Sequence, residues 1–118
     1  MTALTGSGRE LTARFLFPEG FLGFEGHFPG KKILPGVCQV QCVLSMLEQQ
    51  TGNSISLREI VLAKFFAPVL PNEEIVCRSS GVQESGEFLV KAVITRGDQK
   101  VSELKLKVYA VAQGTAAR

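Results

Sequence analysis

One segment limits the folds open to this chain more than any other, the stretch 36–50, GVCQVQCVLSMLEQQ. Its first part carries Val37, Cys38, Val40, Cys42, Val43, Leu44, Met46 and Leu47, so apolar side chains fall nearly all round a helix. A helix of that kind must be enclosed, and only its end, Glu48-Gln49-Gln50, reads as solvated. Pro35 suits the first turn, and Thr51-Gly52-Asn53 supplies the stop, with Gly52 as a left-handed cap. Gln39 and Gln41 then stand in apolar surroundings and need partners, because an unpaired buried amide costs ~1–3 kcal/mol.

Everything else with a clear period is β. Residues 9–17 alternate, with Leu11, Ala13, Phe15 and Phe17 on one side. Strands are expected over 57–66, 73–81, 87–96 and 100–111, with turns at Gly86 and at Gly97-Asp98. The last alternates most cleanly, Leu104, Leu106, Val108 and Ala110 against Glu103, Lys105, Lys107 and Tyr109. One apolar helix among strands predicts an α+β fold with a sheet curled around that helix. At 118 residues this is one domain over 1–118, with 1–8 and 113–118 expected to be flexible tails.

Composition narrows the function classes. Hydrophobic residues make up 45% and charged residues 20%, the balance of a globular protein rather than a disordered one. A net charge of +2 with no Lys/Arg run gives no basis for nucleic-acid binding. No apolar stretch reaches the ~20 residues of a membrane span, and the first residues lack the pattern of a signal peptide. Three cysteines, Cys38, Cys42 and Cys77, have no metal-type spacing, and Cys38 and Cys42, four apart on the helix, read as small buried hydrophobes. That usage points to the reducing cytoplasm.

The chemistry-bearing stretch precedes the helix. Gly26-His27-Phe28-Pro29-Gly30 holds the only histidine of the chain, and Leu34-Pro35-Gly36-Val37 follows at the helix start. His is the side chain that exchanges a proton near neutrality. Helix N-terminal amides stabilise negative charge developing on a substrate oxygen. A lone loop histidine that caps a carbonyl is the plainer reading of His27 by itself.

The motif as a whole resembles the 3-hydroxyacyl-ACP dehydratases of the FabZ/FabA type. Their signature is His-Phe-Pro-Gly, a short variable stretch, then Pro-Gly and a helix bearing an acidic residue. A second block, Lys64-Phe65-Phe66-Ala67-Pro68-Val69-Leu70-Pro71, resembles the family's strand running into Pro-Val-x-Pro. The resemblance implies a hot-dog fold, usually a dimer whose sheets join edge to edge. It implies His27 as the base that removes the proton beside a thioester carbonyl, and the amides of Gly36 and Val37 as donors to the enolate-like oxygen. Phe28, Pro29, Gly30, Pro35, Phe65 and Phe66 become acyl or pantetheine contacts. Lys31 and Lys32 would dock a pantetheine phosphate or an acidic carrier protein, although a solvated loop pair reads equally well. Phe21 and Phe24 are either tunnel lining or core.

One position departs from the pattern. Where the family has its catalytic Glu or Asp, fourteen residues after the histidine, this chain has Gln41. An amide holds a hydroxyl or a water in place but transfers no proton near pH 7. Glu48 and Glu25 are poor substitutes, the first two helical turns further on and the second in the loop. The expected activity is therefore that of a dehydratase-like protein of acyl-chain biosynthesis, working on acyl carrier protein or acyl-CoA thioesters without metal or cofactor, as a homodimer or dimer of dimers. Two alternatives remain open: a weakened acyl-binding or partner subunit, and an acyl thioesterase of the same fold.

Overall fold

The structure is a computed structural model and describes residues 3–7, 10–21, 24, 33–84 and 87–111. Six strands and one long helix follow in the order β1 (Ala3–Ser7), β2 (Glu10–Leu16), α1 (Gly36–Thr51), β3 (Ser54–Phe65), β4 (Glu74–Glu84), β5 (Glu87–Arg96) and β6 (Gln99–Val111). The strands form one sheet in the order β1-β2-β4-β5-β6-β3, with every pairing antiparallel.

Burial follows the alternation. Leu11, Ala13 and Phe15 of β2, Ile75 and Cys77 of β4, Val90, Ala92 and Ile94 of β5, and Leu104, Leu106 and Val108 of β6 all turn inward. They meet Val40, Cys42, Val43, Leu44 and Met46 of α1 in one core. The helix packs on β2, β3 and β4, although β2 and β3 lie toward opposite ends of the strand order. Only a sheet curled around the helix brings both to it, which is the predicted layout. Its C-terminus ends as expected, with Gly52 at φ 74° donating its N–H to the Glu48 carbonyl at 2.9 Å.

Two expectations need correction. Residues 1–8 do not all form a tail, because Ala3–Ser7 pairs with β2 as an edge strand, from Ala3 opposite Arg14 to Ser7 opposite Glu10. The sequence there lacks an apolar alternation, so its strand character comes from pairing with a neighbour rather than from its own pattern. The second correction concerns the helix. Gln39 is buried, but Gln41 is exposed and its Nε2 donates to Ser45 Oγ at 3.3 Å. Val37, Gln41 and Ser45 are spaced by four and share the side of α1 turned from the core, where Val37 is 70% exposed. The 113–118 tail and the Gly86 turn lie outside the described residues.

One irregularity in β6 matters for the site. Ile94 pairs with Ser102 and Thr95 with Lys100, leaving Val101 as an extra residue between them. A bulge of this kind breaks the two-residue alternation and re-aims side chains. Val101 and Ser102, neighbours in sequence, are accordingly both fully buried.

Candidate active-site cleft at the helix start

The helix begins without a side-chain cap. Pro35, in the N-cap position, has no hydroxyl or amide to offer, and there is no acidic residue in the first turn. Cys38 N–H and Gln39 N–H turn back to the Pro35 carbonyl, at 3.0 and 3.4 Å. That leaves the amides of Gly36 and Val37, which no acceptor among the described residues takes up. Two uncommitted N–H groups at the positive end of a 16-residue helix form a ready place for a partial negative charge.

A cleft of about 320 Å³ opens beside them, lined by Ile33, Leu34, Pro35, Gly36, Gln39, Phe65, Phe66, Ala67 and Pro68. The ring of Phe65 lies directly on Gly36, so that a Cβ at position 36 would stand 2.7 Å from Phe65 Cζ. Only a residue without a side chain allows this approach. Phe65 and Phe66 are 50% and 54% exposed, so the mouth is open and aromatic.

The far wall is fixed by hydrogen bonds. Leu34 N–H donates to the Val69 carbonyl at 2.8 Å, and Phe66 N–H to the Val101 carbonyl at 2.8 Å. Arg96 Nη1 donates both to the Pro68 carbonyl, at 2.5 Å, and to Glu73 Oε1, at 3.0 Å. Glu73 Oε1 also accepts Leu70 N–H at 2.9 Å. The Pro-Val-Leu-Pro segment is thus tied to three other parts of the chain, and the lining it contributes is held in place.

Of the site residues expected from sequence, Pro35, Gly36, Phe65 and Phe66 meet at this one cleft. Val37 contributes a backbone amide at its edge while its side chain faces out. Gln41 does not line the cleft and lies on the outward side of the helix. His27, Phe28, Pro29, Gly30, Lys31 and Lys32, together with Glu25, lie outside the described residues. Phe24 is 2% exposed and belongs to the core, with Phe21 set edge-on to it at 5.7 Å, so neither lines this cleft. Glu48 is committed elsewhere, its Oε2 accepting Ile55 N–H at 2.9 Å.

Sequence reasoning missed one participant. Gln39 is 2% exposed, and its Oε1 accepts a 2.7 Å hydrogen bond from Ser102 Oγ, itself fully buried. The signal was present, since Gln39 follows Gly36 by three and so shares its side of the helix. Ser102 falls in the two-residue register of Leu104, Leu106 and Val108, so alternation already turns it inward; the bulge brings in Val101, which is of the opposite parity. The cysteines add no chemistry. Burial pushes the Cys42 and Cys77 thiols up to about 12 and also raises Cys38. A thiol held neutral in this way is a poor nucleophile. Among the described residues no group of three His, Cys, Asp or Glu could hold a metal ion, and no helix is long and apolar enough to cross a membrane.

A lone apolar helix gripped by a curled antiparallel sheet, with a cleft at the helix start, defines the hot-dog class of proteins. Within that class the chain belongs to the ApeI-like dehydratase family, whose model, described as ApeI dehydratase, matches residues 4–105. It is similar to the 3-hydroxyacyl-[acyl-carrier-protein] dehydratase FabZ of Sulfurimonas denitrificans, 34% identical over 104 residues, covering 75% of this chain and 68% of the relative. The FabZ of Ehrlichia chaffeensis is 38% identical over 58 residues, 45% of this chain and 41% of the relative. The chain thus spans less than half the length of that curated relative in the match. Among solved structures, the dehydratase heterocomplex ApeI:P from Xenorhabdus doucetiae superposes with a TM-score of 0.71 at 22% identity, covering 87% of this chain and 89% of that one.

Proposed function

We propose that the protein dehydrates 3-hydroxyacyl thioesters carried on acyl carrier protein, with the acyl chain entering the cleft beside the start of α1. The observation that carries this reading is the pair of amides, Gly36 and Val37, which have no acceptor among the described residues and stand beside an apolar cleft in a chain of a dehydratase family. In such a reaction His27 removes the proton beside the thioester carbonyl, and the two amides hold the oxygen on which charge collects. The thioesterase alternative has less behind it, because the matched family is one of dehydratases. Cysteine usage favours the cytoplasm as the place of action. Incubation of the pure protein with 3-hydroxyacyl-ACPs of several lengths is expected to give the enoyl product, lighter by one water in the mass spectrum. Recovery of free acid instead would favour the thioesterase, and unchanged substrate would favour an acyl-binding subunit.

The active form in this reading is a pair of chains joined along β3. That strand is an edge of the sheet, 12 residues long, and Leu57, Ile60, Val61 and Phe65 on it are exposed. A long apolar edge is a template for pairing with another chain. The outward side of α1, with Val37 and Gln41, adds to the surface available for burial. Sedimentation at micromolar concentration should give a dimer, and introducing charge by Ile60→Lys should shift it toward monomer. A stable wild-type monomer would remove the basis for a shared site.

A further inference from the structure

We propose that Gln39 is the residue that selects for a 3-hydroxyl group on the acyl chain, and that Ser102 positions it. This rests on the cleft being an acyl-thioester site, as proposed above. Gln39 is the one polar side chain among the described residues lining the cleft; its other walls are Ile33, Leu34, Pro35, Gly36, Phe65, Phe66, Ala67 and Pro68. A nearly fully buried amide in such a wall is costly unless each end has work. Its oxygen is occupied, since Ser102 Oγ donates to Oε1 at 2.7 Å. This bond commits Oε1 and leaves Nε2 as the donor end of the amide.

The distance along the helix selects the ligand atom. Gln39 lies three residues past Gly36, about 4.5 Å along the axis. An acyl thioester whose carbonyl oxygen sits on the Gly36 and Val37 amides carries its 3-hydroxyl two carbons further along the chain, within the span of that turn. Nε2 donates to the hydroxyl oxygen, holding it without exchanging a proton. A chain lacking the hydroxyl leaves this donor unmatched in an apolar cleft. That is the arrangement by which a site rejects an analogue missing a hydrogen-bonding group. Ser102 acts only through Gln39. It faces inward in step with Leu104, Leu106 and Val108, and the bulge begins only at its neighbour Val101.

The test compares binding of two pantetheine amides of matched chain length, a 3-hydroxyacyl and a saturated acyl. Amides replace the thioesters because their α-protons are too weakly acidic for elimination. Wild type should prefer the hydroxylated analogue by about tenfold or more, the worth of one good hydrogen bond. Gln39→Leu and Ser102→Ala should each bring the ratio close to one. The double variant should do no more than either, since two residues acting as one unit are not additive. It also leaves neither polar partner unpaired, so it is the variant best placed to stay folded if a single change is too damaging. A ratio is insensitive to general loss of affinity, which separates selection from mere damage. A folded variant that keeps the wild-type preference overturns the inference, as does a wild type that binds both analogues equally; the acyl-site reading survives either result. Binding of neither analogue by wild type overturns that reading and the inference with it.

Discussion

Gln41→Glu is expected to raise dehydration turnover by up to ~10²–10⁴-fold, the range that one general acid or base contributes. The expectation rests on the spacing of the motif, which assigns Gln41 to the acidic position of the dehydratases it resembles, and Glu differs from Gln by little in volume. The structure makes the substitution inexpensive in stability. Gln41 is exposed on the outward side of α1 and, among the described residues, donates to Ser45, so a carboxylate there stays in contact with water in the single chain. Burial would have raised its pKa and opposed the charge, and pairing of two chains over this side would restore part of that cost. Turnover and melting temperature measured on the same preparation separate the two effects. A folded Glu variant with no gain would mean that more than one carboxylate has been lost, and the acyl-binding reading would then be preferred.

His27→Ala should abolish dehydration, with a loss of at least ~10²-fold and the melting temperature nearly unchanged. It is the only histidine in the chain, so no second imidazole can replace it. If Gln41 takes the acidic position, as the proposed site has it, His27 is also the one group of the motif that exchanges protons near neutrality, and it would have to serve both the α-carbon and the departing hydroxyl. The pH profile of wild-type turnover should accordingly report a single ionisation on its acid limb. Gln41→Glu should add a second. Activity close to wild type in His27→Ala would remove His27 from the mechanism and return it to the role of a loop histidine.

Much of the architecture was legible because burial and period coincide. The helix was readable from an apolar surface too broad for any exposed helix, and its end from Gly52. The strands from β2 onward were readable from alternation that the core then uses, as at Leu104, Leu106 and Val108. β1 was not, since Ala3–Ser7 is held by backbone pairing to β2 and carries no pattern of its own. In the cleft, Pro35, Gly36, Phe65 and Phe66 were found through two motifs far apart in sequence. Gln39 and Gln41 were indistinguishable by composition, two glutamines on one apolar helix, yet two positions of helical rotation put one in the core and the other in solvent. The inward direction of Ser102 was legible, since it keeps step with Leu104, Leu106 and Val108; the burial of Val101 was not, because the bulge adds that residue out of step.

The contact between Gly36 and Phe65 ties together two parts of the chain that any redesign would be tempted to treat separately. With 2.7 Å between a notional Cβ and the ring tip, the missing side chain of one residue is the space occupied by the other. Widening the cleft by trimming Phe65 would therefore also release position 36 from its need to be glycine, and enlarging position 36 would swing the ring across the mouth. In a diverging lineage or a mutant library the two sites should change as a couple, small with large, and a variant altered at only one of them samples a cleft of different shape rather than the same cleft with a different wall.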